Sequence, residues 1–222
     1  MVTVVVTGGD SLMFQLENTP IAALQACSMG VPWLPVGTEG EEGAEIHDLE
    51  TALSGSISPH EVLNRIWPSG LSMPDELAIH KGALEIDALV SGALRSDFQK
   101  TRLEMMCERL GVKSFSPLWH KGSSQHMSAL IDHGFGVVIS SVSSEGLGEE
   151  WLGRKLDNGN LEMLKSLSEK YRFNLDGEGG EFETMVVSGP HMEGQIVFQH
   201  DVLWDGARGS IKLDSCSLHR YR

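Results

Sequence analysis

A short acidic segment with two adjacent glycines has the residue types and spacing of a cation-binding site. Residues 178–184 read Glu-Gly-Gly-Glu-Phe-Glu-Thr, so three carboxylates fall within seven positions. Paired glycines reach backbone conformations that other residues avoid, which lets main-chain amides turn toward a bound group. In an extended strand, Glu181 and Glu183 would share one face, and Phe182 and Thr184 the other. The pattern predicts a site for a positively charged guest, although a solvated turn before a strand has the same composition.

Two loops that follow predicted strands form a second group of candidates. Residues 7–11 follow a strand predicted for residues 1–6, and residues 91–96 follow a buried strand predicted for residues 88–90. In parallel α/β sheets, ligands bind beyond the carboxyl ends of the strands. The small residues of both loops permit close approach of a ligand, although loops contain small residues in any case.

The elements that position these residues alternate along the chain. Apolar runs and glycine or proline breaks predict strands at residues 1–6, 33–36, 88–90 and 136–142. Helices are predicted at residues 18–30, 41–53, 58–67, 74–82, 96–111, 123–133 and 160–171. Capping boxes are predicted at the starts of two of them, Ser58 with Glu61 and Ser96 with Gln99.

This alternation over the first 140 residues predicts an α/β protein with a mostly parallel sheet covered by helices. Three later strands, at residues 185–187, 195–203 and 211–213, predict an antiparallel addition. The one soft boundary falls near residues 114–119.

Composition excludes several classes of partner. The 222 residues are 41% hydrophobic and 22% charged, as is ordinary for a globular protein. The formal net charge of -14 argues against a nucleic-acid partner, because phosphate contacts need clustered Lys and Arg. No apolar run approaches the roughly 18 residues that span a bilayer, so we expect no membrane partner and a cytoplasmic location. Cys27 and Cys107 fall in helical patterns and are expected in the core.

One set of short segments falls in a fixed order along the chain: residues 10–15, 22–26, 90–99, 107–111, 117–119, 146–147, 151–154 and 178–184, together with Arg102. These segments and their order resemble the diphthine–ammonia ligase family, a branch of the PP-loop ATP pyrophosphatases. The resemblance implies an adenine-nucleotide α-hydrolase-like fold. Residues 1–115 would form the nucleotide-binding domain, a parallel sheet flanked by helices. Residues 116–222 would form a smaller α+β domain that binds the substrate.

The resemblance also implies a reaction. The expected partners are ATP, ammonium and elongation factor 2 that carries diphthine, a modified histidine. ATP activates the diphthine carboxylate as an adenylate, and ammonia displaces AMP to give diphthamide. Magnesium would accompany ATP as part of the substrate, bridging its phosphates. The chain could also pair with a second copy as a homodimer. The sequence identifies no catalytic base.

Single residues take roles by the same resemblance. The nucleotide would lie against Met13, Phe14, Gly92 and Ala93. The substrate would be bound by Ser96, Asp97, Gln99, Arg102, Trp119, Glu178, Gly179, Gly180, Glu181, Phe182, Glu183 and Thr184. Ser96 is also a helix N-cap, and helix N-termini attract anions. Trp119 or Phe182, with the glutamates, is expected to receive the trimethylammonium group of diphthine, unless Trp119 fills the core.

The histidines near residues 120–133 do not have the spacing of a metal-binding site. His120, His126, Asp132 and His133 lack the tight spacing of ligand sets, so no protein-held metal is expected.

One departure from the family is expected to matter. Family members begin with a strand, a Ser-Gly-Gly-Lys-Asp-Ser phosphate loop and a helix, whereas residue 10 here already matches the segment after the second strand. Gly8, Gly9, Asp10 and Ser11 resemble that loop without its lysine, which we attribute to coincidence. Residues 56–82 form an insertion longer than the family pattern.

Two explanations and two rival functions follow from this departure. The chain is either truncated at its amino terminus or has lost ATP chemistry, and in either case ATP binding depends on the missing loop. The rival functions are an ATP pyrophosphatase that amidates another carboxylate and a non-catalytic binding module. Titration with ATP–magnesium would separate the module from the enzymes.

Overall fold

Strands and helices alternate along most of the chain, and the computed structural model describes residues 1–8, 11, 13, 14 and 19–221. The helices are α1 (Thr19–Ser28), α2 (Ala44–Leu53), α3 (Pro59–Ile66), α4 (Asp97–Leu110), α5 (Ser123–Asp132) and α6 (Asn158–Tyr171). The strands are β1 (Val2–Val6), β2 (Leu34–Thr38), β3 (Ala88–Val90), β4 (Lys113–Phe115), β5 (Gly136–Val142), β6 (Lys155–Leu156), β7 (Phe182–Ser188), β8 (Gly194–Trp204) and β9 (Gly209–Arg220). The chain is therefore an α/β protein.

Two compact units divide these elements. The first comprises Met1–Thr19, Val31–Ser69 and Asp75–His120, and the second Pro20–Gly30, Gly70–Pro74 and Lys121–Arg222. Helix α1 thus belongs to the second unit, and the division at residues 115 and 116 stays a prediction. Within the described ranges, no helix is both long and apolar enough to cross a membrane.

Parallel strand pairs define the first unit. Strand β1 pairs with β2, and β3 pairs with β4, each in parallel register. One apolar cluster includes side chains of β2, α2 and α4, with Val2, Val4 and Leu89 packed against it. Helix α3 packs on β2, where Val62 and Ile66 cluster with Val5. The two strand pairs therefore share one helix-covered core.

Ion pairs align the two helices of that core. Arg102 on α4 lies 3.2 Å from Glu42, just before α2, and the Nε atom of Arg109 lies 3.0 Å from both carboxylate oxygens of Glu50. Two contacts at matched spacing along both helices mean that α2 and α4 run side by side in the same direction. The Arg109 guanidinium, by its hydrogen bonds, lowers the pKa of Glu50 below its usual 4.5.

The Glu50–Arg109 pair predicts a pH-dependent stability difference. Because the folded-state pKa of Glu50 is lowered, its contribution is complete above the usual carboxylate pKa and is lost as the pH falls through the lowered value. Glu50→Gln is therefore expected to lower the urea midpoint modestly at neutral pH and to leave it unchanged in strong acid. An equal difference in midpoint at both pH values would contradict this assignment.

An antiparallel sheet forms the second unit. Its strands follow the order β6-β5-β9-β8, and β7 pairs with β5 along Gly136–Val142. The core beneath it includes Ile139, Trp151, Leu164 and Ile196, each at most 1% exposed. Asp157 starts α6 by accepting a hydrogen bond of 2.7 Å from the Asn160 amide. The antiparallel addition is confirmed, with strands longer than predicted.

Four local predictions are wrong. Residues 74–82 form turns and a single bridge from Ile79 to Trp33 rather than a helix. Strand β3 is not buried, because Ala88 and Val90 are both exposed, Val90 at 64%. Strand β5 is antiparallel to its neighbours. The Ser58 side chain makes no capping hydrogen bond, and Pro59 in the first turn marks the start of α3 instead.

Candidate functional site

The carboxyl ends of the parallel strands in the first unit carry a connected polar cluster. The Ser11 hydroxyl donates to the Glu45 carboxylate and accepts from the amides of Met13, at 3.1 Å, and Phe14, at 2.8 Å. The side-chain Nε2 of Gln99 donates to the Met13 carbonyl at 3.2 Å. The segment after β1 is therefore joined to the first turns of both α2 and α4, where ligands bind in parallel sheets.

Glu45 is the residue of this cluster that sequence reasoning missed. Glu45 lies in the first turn of α2 and is only 1% exposed. A buried carboxylate requires hydrogen bonds, and Ser11 supplies one. The acidic run at residues 39–45 is typical of a solvated helix start. Its two glycines, Gly40 and Gly43, both have a φ of 85° and are the sequence signal of a special turn.

The loop after β3 leads into the start of α4. Gly92 is exposed, and a side chain there would meet no atom within 4 Å, whereas Ala93 is buried. The Ser96 hydroxyl caps α4 by accepting from the Gln99 amide at 3.3 Å, as predicted. Asp97 is exposed at the same helix start. Backbone of this loop is accessible to a ligand.

Arg102, the predicted anion partner, already has partners. Its guanidinium carbon lies 3.3 Å from the centroid of the Phe98 ring, and one of its nitrogens contacts Glu42. An incoming anion would therefore compete with the Glu42 carboxylate. Gly9, Asp10, Leu12 and residues 15–18, which include three positions of the family-like segment and the predicted cap of α1, lie outside the described residues.

The ring of Trp119 contacts an aromatic side chain and a cationic one. Its ring stacks on His120 with centroids 4.8 Å apart, and the ammonium of Lys100 lies 5.2 Å from its centroid. The residue is partly exposed, so it does not fill the core. Glu104 pairs with the same ammonium. The geometry suits a quaternary ammonium group, which favours an aromatic face and nearby negative charge.

In the second unit, Glu181 organises the acidic segment from within. Its Oε1 atom accepts from the Asn174 backbone amide at 2.8 Å and from the Asn174 side chain at 2.7 Å, and its Oε2 accepts from the Gly179 amide at 2.8 Å. Glu181 precedes β7, so the expected strand alternation with Glu183 is wrong. The carboxylate turns back onto its own loop because three donors lie there.

Hydrogen bonds from Ser143, just after β5, hold the backbone of residues 180 and 181. The Ser143 hydroxyl donates to the Gly180 carbonyl at 2.6 Å, and the Ser143 amide to the Glu181 carbonyl at 2.9 Å. Gly177 and Gly180 have φ angles of 71° and 79°, which other residues rarely adopt. The predicted glycine hinge is confirmed at Gly180, whereas Gly179 lies outside that region of φ among the described glycines.

Phe182 is a core residue. It is 3% exposed and meets Phe173 edge-on, with ring centroids 6.5 Å apart. This burial argues against Phe182 as a face for a guest cation and leaves Trp119 as the aromatic candidate. Glu183 and Thr184 are partly exposed in β7. The structure thus groups residues 178–184 in the second unit, and Met13, Phe14, Gly92, Ala93, Ser96, Asp97, Gln99, Arg102 and Trp119 in the first.

Trp151, within another family-like segment, also belongs to a core. It is 1% exposed, and the Arg154 guanidinium lies 4.8 Å from its ring centroid. The buried Trp151 therefore anchors its loop.

Comparisons with known proteins give two matching family models. Residues 72–114 match the diphthamide synthase N-terminal domain, and residues 122–218 match the diphthamide synthase C-terminal domain. Among curated proteins, the chain is 30% identical to a diphthine–ammonia ligase of Danio rerio over 192 residues, which covers 85% of the chain and 69% of that protein.

Other relatives are matched over a smaller share of their length. A diphthine–ammonia ligase of Schizosaccharomyces pombe is 31% identical over 60% of the chain, and the chain spans 22% of that protein. The Homo sapiens diphthine–ammonia ligase is 30% identical over 54% of the chain, which spans 45% of its length. The chain therefore corresponds to only part of these two relatives.

Proposed function

Because the chain belongs to the diphthine–ammonia ligase family, we propose that it acts in the ATP-dependent amidation of diphthine on elongation factor 2. Its own residues supply the recognition of the diphthine side chain. The observation that carries the proposal is the match to the Danio rerio ligase, which extends over 85% of the chain. The adenine-nucleotide α-hydrolase-like fold and a cytoplasmic location belong to the same proposal.

The reaction consists of two displacements. A carboxylate oxygen of diphthine attacks the α-phosphorus of ATP, the bond to the bridging oxygen breaks, and pyrophosphate leaves with its magnesium. Ammonia then attacks the carbonyl carbon of the adenylate, AMP leaves with the bond electrons, and the extra proton passes to solvent. Both steps depend mainly on positioning and on stabilisation of developing negative charge.

The polar cluster of the first unit is the proposed place of the nucleotide. The exposed backbone at Gly92 and the capped start of α4 at Ser96 offer main-chain donors to an anion. Arg102 lies on the same helix, and exchange of its partner Glu42 for a phosphate oxygen would bring its charge to the ligand. Met13 and Phe14 belong to the same cluster through Gln99 and Ser11.

The substrate cation is proposed to meet the Trp119 ring of the first unit. The Lys100 ammonium over the Trp119 ring supports this, since it shows that the ring accepts a positive charge. The acidic loop that Glu181 holds in the second unit is a separate candidate, because the negative charges of Glu178 and Glu183 favour a trimethylammonium group.

Truncation of the Trp119 side chain is therefore expected to weaken binding of the diphthine-bearing factor. Trp119→Ala is expected to weaken binding of elongation factor 2 that carries diphthine by about 5–30-fold, the range for a partly desolvated cation–π contact. Trp119→Phe is expected to retain part of the affinity. Lys100→Met, the matched control, leaves the ring in place and is not expected to weaken binding. Calorimetric titration measures all three, and unchanged affinity in Trp119→Ala would remove the aromatic site from the proposal.

A reconstituted amidation tests the proposed function. The chain is mixed with ATP–magnesium, ammonium and elongation factor 2 from cells that lack the amidation step. The expected result is AMP and diphthamide in equal amounts, detected by chromatography and mass spectrometry. AMP release that does not depend on the diphthine-bearing factor would contradict diphthine as the carboxylate that ATP activates. Tight binding of the factor without AMP would restrict the chain to recognition.

A further inference from the structure

Glu45 is a buried carboxylate without a cationic partner. The residue is 1% exposed, and it adjoins Ile46, a member of the apolar cluster of the first unit. Within the part of the chain that the structure describes, only the Ser11 hydroxyl is bonded to the Glu45 side chain. An ionised carboxylate accepts up to about four hydrogen bonds. Because a buried charge is costly unless a cation or several donors meet it, the unused acceptor capacity of Glu45 calls for a ligand.

The neighbouring glutamates differ from Glu45 in both exposure and pairing. Glu42, whose side chain is 64% exposed, lies 3.2 Å from Arg102. Glu50 is paired with Arg109 in the same way. Glu45 lies between these two glutamates in the sequence, yet no described Lys or Arg pairs with it. The most buried of the three carboxylates is therefore the one without a counter-ion.

The surroundings of Glu45 favour a small cation that donates hydrogen bonds. The first turn of α2, where Glu45 lies, favours a negative charge through the helix dipole. A divalent metal would need several oxygen ligands. Among the described residues, no group of three or more His, Cys, Asp and Glu side chains could hold such an ion. Ammonium needs only acceptors, and its single charge matches a single carboxylate.

We propose that the Glu45 carboxylate binds ammonium beside the Ser11 hydroxyl, and that it does so as the site of the nitrogen substrate. The substrate role rests on the proposed function. One N–H bond of ammonium breaks and one O–H bond forms on Glu45, which leaves neutral ammonia for attack on the carbonyl carbon of the adenylate. The proton on Glu45 then passes to solvent, which restores the carboxylate.

Hydrogen bonds connect this position to the proposed nucleotide site in the same unit. The Ser11 hydroxyl accepts from the Met13 amide, and the Met13 carbonyl accepts from the Gln99 side chain at 3.2 Å. The Gln99 amide in turn donates to the Ser96 cap of α4. Ammonia released at Glu45 would therefore form within the same polar cluster as the start of α4, where the nucleotide is proposed to bind.

Hydrogen exchange of the full chain in different salts tests the binding without ATP or diphthine. Exchange at the amides of Met13 and Phe14 requires their hydrogen bonds to Ser11 to open. In a titration with ammonium chloride, both amides are expected to exchange about tenfold more slowly at about ten times the dissociation constant. Potassium chloride and tetramethylammonium chloride at the same concentration are expected to leave the rates unchanged, because neither cation has an N–H group to donate.

Two variants of equal side-chain size assign the effect to Glu45. Glu45→Gln removes the charge but keeps an acceptor for Ser11, so it is expected to lose the response to ammonium. Glu41→Gln, the matched control, removes a charge at an exposed position one turn earlier and is expected to keep the response.

Three results would overturn the proposal. They are unchanged exchange of the unmodified chain in ammonium, an equal response to potassium, and a full response in Glu45→Gln. The first two are measured on the unmodified chain and so do not depend on whether the variant folds.

Amidation kinetics test the substrate role of the bound ammonium. In the reconstituted reaction, Glu45→Gln is expected to raise the KM for ammonium at least about tenfold and the KM for ATP by a smaller factor. An unchanged KM for ammonium would overturn the substrate role. Absence of turnover in the unmodified chain would instead contradict the proposed function, because the exchange experiment decides the ammonium site by itself.

Discussion

Replacing Phe182 with alanine is expected to lower the free energy of unfolding of the second unit by about 3–5 kcal/mol, the usual cost of truncating a buried phenylalanine. Phe182 is 3% exposed and packs with Phe173 and the central strand β5. The cavity left behind would border Phe173, and the ladder between β5 and β7 that holds Phe182 in place limits its collapse. The prediction separates a core role for Phe182 from the ligand-binding role first assigned to it.

Urea unfolding followed by tryptophan fluorescence measures this loss, with hydrogen exchange in β5 and β7 to assign it to the second unit. Phe115→Ala is the matched control, since it removes the same side chain at a position that is 57% exposed. The control is expected to change stability by less than about 1 kcal/mol. Equal losses in the two variants would show that Phe182 is not a core residue.

Glu181→Ala is expected to loosen the acidic loop without unfolding the unit. The substitution removes the acceptor of three hydrogen bonds, from two groups of Asn174 and one of Gly179. Because the donors can partly turn to water, we expect local opening to become easier by about 1–2 kcal/mol, or roughly 5–30-fold faster amide exchange. Binding of the diphthine-bearing factor is expected to weaken in parallel, since Glu178 lies within the loosened segment.

Two variants control this experiment. Asn174→Ala removes one donor but leaves the Glu181 charge, so it is expected to reproduce part of the loosening. Glu162→Ala removes a carboxylate from α6 at an exposed position and is expected to alter neither exchange nor binding. If Glu181→Ala weakened binding while the Gly179 and Asn174 amides exchanged at the original rate, Glu181 would contact the guest directly.

Much of the architecture could be read from local patterns. Helix α6 was predicted within two residues because its apolar stripe is regular. The difference lies at its start, where Asp157 is the cap. Strand β3 shows the limit of such reading. Three apolar residues before a glycine suggest a buried strand, but burial depends on which elements cover each face, and that is a property of the whole unit.

The candidate site was predictable in place but less so in detail. The loops after β1 and β3 and the cap at Ser96 follow from strand ends and capping rules. The partners of Glu181 and Glu45 do not, because a carboxylate's hydrogen bonds depend on which backbone and side-chain donors the fold brings to it. Ser11 lies 34 positions from Glu45, and Asn174 lies seven from Glu181. A run of acidic residues therefore conceals which of them are structural.

The most direct measurement compares the affinity of the chain for two forms of elongation factor 2. One form carries diphthine, and the other carries the unmodified histidine and so lacks both the trimethylammonium group and the reacting carboxylate. Recognition of diphthine by the residues of this chain predicts at least about tenfold tighter binding of the first form, equivalent to about 1.4 kcal/mol. Equal affinity for the two forms would contradict the account.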